Sequence, residues 1–304
     1  MEKKAAESVL IAEHPELRNP AMIAAFAGWS DAASCATSAV RLLIEQWSAG
    51  KFATIDPEEF YDFSMHRPTV TVDEHFNRTI EWPANDFYFY QAPDQPRDFV
   101  LFVGVEPNTR WRTYTSAISS VAQELGVTDV VTVGALIAEV VHSTPVQLTG
   151  SSNSPELRDR MRLLNIGSSR YQGPTGITSA LSDRCTQDGI HSMSIWGSVP
   201  HYIPTTPNPK VVTSMLRHLR DLLRFDLDLR SLEVASRRFE EQVTDAVNAN
   251  AQLRDYVRER ESKEHLEDEP EEGTTPADDF PSGETLVRSL EEFLRQNRPR
   301  PTDT

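Results

Sequence analysis

Between residues 21 and about 225 the chain alternates short, unbroken apolar runs with stretches of helical period, and this alternation limits its fold more than any other feature. Phe99-Val100-Leu101-Phe102-Val103-Gly104-Val105 holds no polar residue in seven positions. A strand wet on one side alternates polar and apolar residues, so an unbroken run belongs inside a sheet covered on both faces. Ala21 to Ala27 and Val130 to Gly134 have the same character. Between the first two runs, Val40, Leu43, Ile44 and Trp47 recur at i, i+3, i+4 and i+7, one face of an amphipathic helix. Further helices are predicted at about 114–125, 155–164, 179–187 and 211–223, strands at 51–55 and 190–196, and a β-rich meander at 68–91. The pattern predicts an α/β protein with a mostly parallel sheet.

After Phe225 the pattern changes. Leu232, Phe239, Ala246 and Leu253 lie seven apart, with Ala235, Gln242, Ala249 and Tyr256 offset by three, which predicts one long helix over 231–261 packed on its own domain or on a subunit partner. Residues 262–284 are expected to be an acidic linker, and Leu286, Val287, Leu290, Phe293 and Leu294 a short helix within 285–297. The chain thus divides into an α/β domain, 1–226, and a helical C-terminal extension, 227–304.

Charge and composition exclude several function classes. The net charge is -16. Residues 259–284 alone hold eleven acids against two bases, so most of the acidity belongs to the extension. Nothing supplies the basic face that nucleic acid needs, and no nucleic-acid partner is expected. Two cysteines, Cys35 and Cys185, cannot build a disulfide framework or a four-cysteine zinc site, and both are expected to be buried, inert thiols. The eight histidines show no metal-ligand spacing, so neither a metal nor a cofactor is predicted. No run reaches the ~18 apolar residues of a membrane span, and Val9 to Ala12 is too short for a signal-peptide core. A cytoplasmic protein is expected.

Ligands of α/β sheets bind beyond the carboxyl ends of the strands, so the polar loops there supply the candidate site residues. These are Gly28, Trp29, Ser30 and Asp31; Glu106 and Arg110; Gly173, Thr175 and Gly176; and His201 with Tyr202. Gly28 to Ala32 nearly matches the nucleophile elbow Gly-x-Ser-x-Gly, but Ala32 stands where the second glycine belongs, and a helix cap by Ser30 or Asp31 is the preferred reading. Glu106 and Arg110, four apart, suit an ion pair, or a carboxylate that orients a hydroxyl beside a guanidinium that clamps an anion. His142 and His201 follow strands, where a histidine is more often hydrogen-bonded structure than a general base.

Five ordered segments carry a family resemblance: Phe26 to Ala33, Gly104 to Pro107 with Arg110-Trp111, Val131 to Leu136, Tyr171 to Ile177, and Trp196 to Tyr202 followed by Pro207 to Lys210. Together they resemble the proteasome-assembly-chaperone family (the proteasome assembly chaperone 2-like group), in its longer bacterial branch. The resemblance implies a three-layer α/β sandwich related to the purine nucleoside phosphorylase fold. It also implies a non-catalytic binding or assembly protein with proteasome α subunits or another protein as client. Self-association is expected as well, from Trp82 and Phe87 to Tyr90 in the meander, with a trimer among the states the related fold allows. The alternative is a small-molecule enzyme of phosphorylase-like or hydrolase-like type, which requires Ser30, Glu106, Arg110 and His201 to converge in one pocket.

Overall fold

A computed structural model describes residues 8–204 and 207–264. The three apolar runs are neighbouring strands: β2 (Ala21–Ala27) pairs in parallel with β7 (Phe99–Val105) on one side and with β8 (Asp129–Ala138) on the other. β11 (His191–Pro200) continues the parallel block beside β8. Antiparallel strands complete the sheet: β6 (Asp86–Tyr90), β3 (Gly50–Ile55) and β1 (Val9–Ile11) beyond β7, and β9 (Leu148–Ser152) beyond β11, with the two-residue β10 (Gly167–Ser168) at the far edge. The nine strands run in the order β1-β3-β6-β7-β2-β8-β11-β9-β10.

Helices cover both faces. Ala21, Ile23 and Ala25 of β2 pack with α1 (Cys35–Gln46), α3 (Pro155–Leu163) and α5 (Pro209–Leu223). Met22, Ala24 and Phe26, on the opposite face of the same strand, pack with α2 (Trp111–Glu124) and α4 (Ile177–Gln187). The result is the three-layer α/β/α sandwich expected. The amino ends of the strands are tied off by ion pairs: Asp98 binds the backbone and guanidinium of Arg18, and Asp129 takes Arg97 at 2.7 Å. The carboxyl ends are left for the polar loops.

Not all of the meander belongs to the sheet. β6 does, and it buries Phe87. β4 (Thr69–Val72) and β5 (Arg78–Glu81) instead form a separate antiparallel hairpin in which every strand residue is exposed. β1, β9 and β10 are strands beyond those predicted; β1 is the apolar Val9-Leu10-Ile11, whereas β9 reads Leu-Thr-Gly-Ser-Ser and has the composition of a loop.

The single helix expected over 231–261 is two helices, α6 (Arg230–Ala249) and α7 (Ala251–Glu264). Asn250 adopts an extended conformation (φ -113°, ψ 112°) that breaks the helix, and its side chain accepts the N–H of Leu253 to start α7. The break lets both helices lay Phe239, Val243, Val247, Leu253 and Val257 against Val141, Tyr202 and Ile203 of the same chain. The linker predicted over 262–284 is helical at its start, because α7 continues through Glu264; its remainder and the short helix at 285–297 lie outside the described residues. Among the described residues no helix is long and apolar enough to cross a membrane.

His142 is the polar pin of this contact. Its backbone N–H donates to the Tyr202 hydroxyl, its Nδ1 lies 2.8 Å from the same oxygen, and its Nε2 lies 3.0 Å from Thr244 Oγ1 on α6. With Nδ1 accepting from Tyr202, Nε2 carries the proton and donates to Thr244. Burial lowers the pKa of His142, and the same cause lowers that of His201, whose ring meets Tyr202 and Tyr256 edge-on. Glu240, Glu261 and Glu139 oppose these shifts, while Lys210 and Arg260 reinforce them. Both imidazoles therefore bind fewer protons folded than unfolded below the ordinary histidine value of about 6.5. Their contribution to stability is complete above that value and is lost as pH falls through it. Urea midpoints are expected to fall between about pH 7.5 and 5.5, and His142→Gln should flatten that slope; an unchanged midpoint across the range would contradict the assignment.

Candidate functional site

β2 ends at Gly28, whose φ of +121° is a conformation that side chains strain to adopt. A Cβ there would also meet the Cβ of Glu106 at 3.2 Å, so glycine lets the ends of β2 and β7 approach each other. The chain then turns, Asp31 N–H donating to Gly28 C=O, and the Ser30 carbonyl accepts the N–H of Ala135 on β8. Three strand ends are thereby fixed to one another.

Asp31 acts structurally. Its Oδ1 accepts the N–H groups of Ala36 and Thr37 at 2.8 and 3.2 Å, and its Oδ2 accepts the Thr37 hydroxyl at 2.5 Å. Two residues in the left-handed region, Ala33 (φ 51°) and Ser34 (φ 52°), kink the chain so that α1 starts at Cys35. Asp31 consequently caps the helix from several residues upstream. Burial raises its pKa, and the bonds from Thr37 and Ala36 pull it back. Ser30 takes no part in the cap; it is 1% exposed and its hydroxyl has no partner.

Glu106 follows β7, whose last residue is held by a small network. Val105 N–H donates to Asn85 Oδ1, the Tyr114 hydroxyl lies 2.7 Å from the same oxygen, and the Tyr61 hydroxyl donates to Val105 C=O at 2.6 Å. From this anchor the Glu106 carboxyl reaches the first turn of α4. Burial raises its pKa, while the N–H groups of Ile177 and Trp29 that face it act in the opposite direction. Its Oε2 is buried with no hydrogen-bond partner. The loop before α4 closes the arrangement. A Cβ on Gly176 would stand 2.7 Å from Ser30 Oγ and 3.1 Å from the Trp29 ring, so Gly176 admits the turn after β2 against the helix. The next side chain but one, Thr178, is also 1% exposed with an unpartnered hydroxyl.

The structure thus brings Gly28, Trp29, Ser30, Glu106 and Gly176 together and adds Thr178, which the sequence reading missed. Its only sequence signal was position, two residues past Gly176 in the first turn of α4. Gly173 and Thr175 sit in the exposed approach to the helix. Arg110 is elsewhere: it stands in the left-handed region before α2 and pairs with Glu59, not with Glu106, because residues 106–110 form a loop and do not place the two on one helical face. His201 packs against Tyr256 of α7, and Tyr202 is buried with its hydroxyl on His142. Cys35 and Cys185 are buried, and burial pushes both thiols up to about 12. An open groove of about 930 Å³ lies away from this cluster, between β9, α5 and α6. Two of the cations lining it are already paired, Lys210 with Glu240 and Arg217 with Glu233, each at 3.0 Å.

These features define a protein of the α/β/α sandwich class that gathers a carboxylate and two hydroxyls at its strand ends, without the base and anion clamp that the enzyme reading required. The PAC2 family profile matches residues 25–247, and the chain belongs to that family. It is similar to a PAC2 family protein from Streptomyces avermitilis, at 37% identity and a TM-score of 0.72 over 78% of this chain and 99% of the other. It is also similar to a proteasome-assembly chaperone homologue from Mycobacterium tuberculosis, at 35% identity and a TM-score of 0.71, with the same coverage of both chains. An archaeal proteasome activator from Pyrococcus furiosus shares the fold at 17% identity, with a TM-score of 0.62 over 78% of this chain and 97% of that one. No curated protein sequence matches the chain. The family and the Mycobacterium tuberculosis homologue support a chaperone-like role.

Asp31→Ala removes the acceptor for two helix N–H groups and one hydroxyl. It is expected to cost about 1–2 kcal/mol in urea unfolding, with no loss of partner binding; a neutral effect on stability would show that the cap is dispensable.

Proposed function

We propose that this chain is a non-catalytic, homo-oligomeric assembly factor that acts in the cytoplasm on a protein client, with proteasome α subunits as the client class. The observation that carries the proposal is the 35% identity to a proteasome-assembly chaperone homologue across nearly that whole chain. The separation of Arg110 and His201 from Ser30 and Glu106 supports it, since a nucleophile or acid without a positioned base has no catalytic partner.

The hairpin of β4 and β5 supports self-association. Its register pairs Val70 with Ile80, and Val72 lies along the same face, all three exposed. Phe76 at the tip is 87% exposed, and Trp82 at the base contacts Phe63 edge-on with ring centroids 4.8 Å apart. A lone two-stranded hairpin is marginal in water, and clustered apolar side chains of this kind mark protein contacts.

Sedimentation velocity at tens of micromolar is expected to give a particle larger than one chain, and Val72→Glu should shift it toward the single chain without lowering the melting temperature. Purified proteasome α subunits should be retained by the immobilised protein. A single-chain particle would defeat the oligomer, and absence of retention would defeat the client assignment.

A further inference from the structure

We propose that Ser30, Glu106 and Thr178 form the floor of a binding site for a neutral, hydroxyl-rich small molecule, a sugar ring or a polyol, which enters when residues 170–175 lift from the end of α4. The inference is separate from the assembly role, because neither the hairpin nor a protein client enters it.

Three polar atoms from three separate segments carry it. Ser30 Oγ, Glu106 Oε2 and Thr178 Oγ1 are all buried, and none has a hydrogen-bond partner. They share one locality: the Glu106 carboxyl faces the N–H groups of Trp29 and Ile177, Ser30 follows Trp29 and abuts Gly176, and Thr178 follows Ile177. Gly176 caps the eleven-residue α4 with no side-chain acceptor, and the Glu106 carboxyl faces the first N–H of the helix, that of Ile177. Folded proteins rarely bury several polar atoms unpaired in one place, and such groups commonly mark a site that a ligand completes.

Charge selects the ligand class. An anion would lie against the Glu106 carboxylate; Arg110 is held by Glu59, and Arg170 belongs to the segment that lifts away. A cation would lie against the positive end of α4. What remains is a neutral group that both donates and accepts. A hydroxyl donates to Glu106 and accepts from Ser30 or Thr178, and two adjacent hydroxyls on one molecule engage all three. The rim fits a ring with C–H faces, since the Trp29 ring lies beside Gly176 and is 64% exposed, with Tyr171, 67% exposed, on the approach to the helix, and such faces pack on aromatic rings.

The cover is lightly held. Residues 170–175 are exposed throughout, and their bonds are local: Tyr171 Oη donates to Pro174 C=O at 2.9 Å, Tyr171 N–H to Ser169 Oγ at 3.4 Å, and Ser169 N–H anchors the segment's start to Gly150 C=O. Lifting the segment breaks no ion pair among the described residues, and it is the movement that entry to the site requires.

The test uses the full chain with ribose, glucose and sorbitol as probes, and inorganic phosphate and ethylammonium as charged controls, followed by melting temperature and saturation-transfer NMR. A sugar or the linear polyol should raise the melting temperature saturably; the stronger response from the rings would assign the aromatic rim, and from sorbitol the hydroxyls alone. Glu106→Gln and Thr178→Val should each weaken binding about tenfold or more. Thr178→Val should also raise the melting temperature of the ligand-free protein, because it removes a buried unpaired hydroxyl at constant shape. A lower melting temperature in that variant would reveal a structural partner for the hydroxyl and overturn the site. So would the absence of a saturable response to all three neutral probes, a stronger response to phosphate or ethylammonium, or full binding by both variants.

Discussion

Burial of β2 on both faces is the constraint from which the rest of the molecule follows. Its six residues from Ala21 to Phe26 are wholly inaccessible, three serving each helical layer, and its edges are filled by β7 and β8. Parallel neighbours force the connections among β2, β7, β8 and β11 to cross over the sheet, which places their carboxyl ends along one rim. Small side chains make the close packing possible, with four of the seven residues of β2 being alanine.

That rim is divided between two uses. On the side of β2 and β7 it holds the cluster around Glu106, where strand ends, a glycine turn and the start of α4 meet. On the side of β8 and β11 it is covered by α6 and α7, through His142, Tyr202 and the apolar contacts around Val243. The C-terminal helices occupy ground that a broad pocket would otherwise need, which accounts for His201 facing Tyr256 and not the carboxylate. Of the four side chains the enzyme reading required, only Ser30 and Glu106 are brought together.

The two faces of functional interest rest on different physics. The hairpin of β4 and β5 offers apolar surface and little polar specificity, the character of a contact driven by area. The strand-end cluster offers little area and three unpaired polar atoms, the character of a contact driven by hydrogen bonding. Both come from the geometry of this chain.

The sequence by itself determined the layers. Unbroken apolar runs at 21–27, 99–105 and 130–134 can be satisfied only by burial on both sides, and helical periods between them supply the cover. It also placed Gly28, Trp29, Ser30 and Glu106 at strand ends, since these punctuate the runs, and Gly176 in a polar turn that proves to be the start of α4. Tertiary structure alone decided which of them meet. Arg110 and Glu106 are four apart, but the chain between them is a loop, and Glu59 reaches the guanidinium first. Asn250 leaves the helix because a break lets Leu253 and Val257 be buried, a gain that no local period reports. β9 is a strand although its residues favour a loop, because the open edge of β11 supplies the hydrogen bonds its backbone needs. Thr178 belongs to the cluster for a similar reason: its neighbours there lie some 70 and 150 positions earlier in the chain, and only the folded sheet puts them beside it.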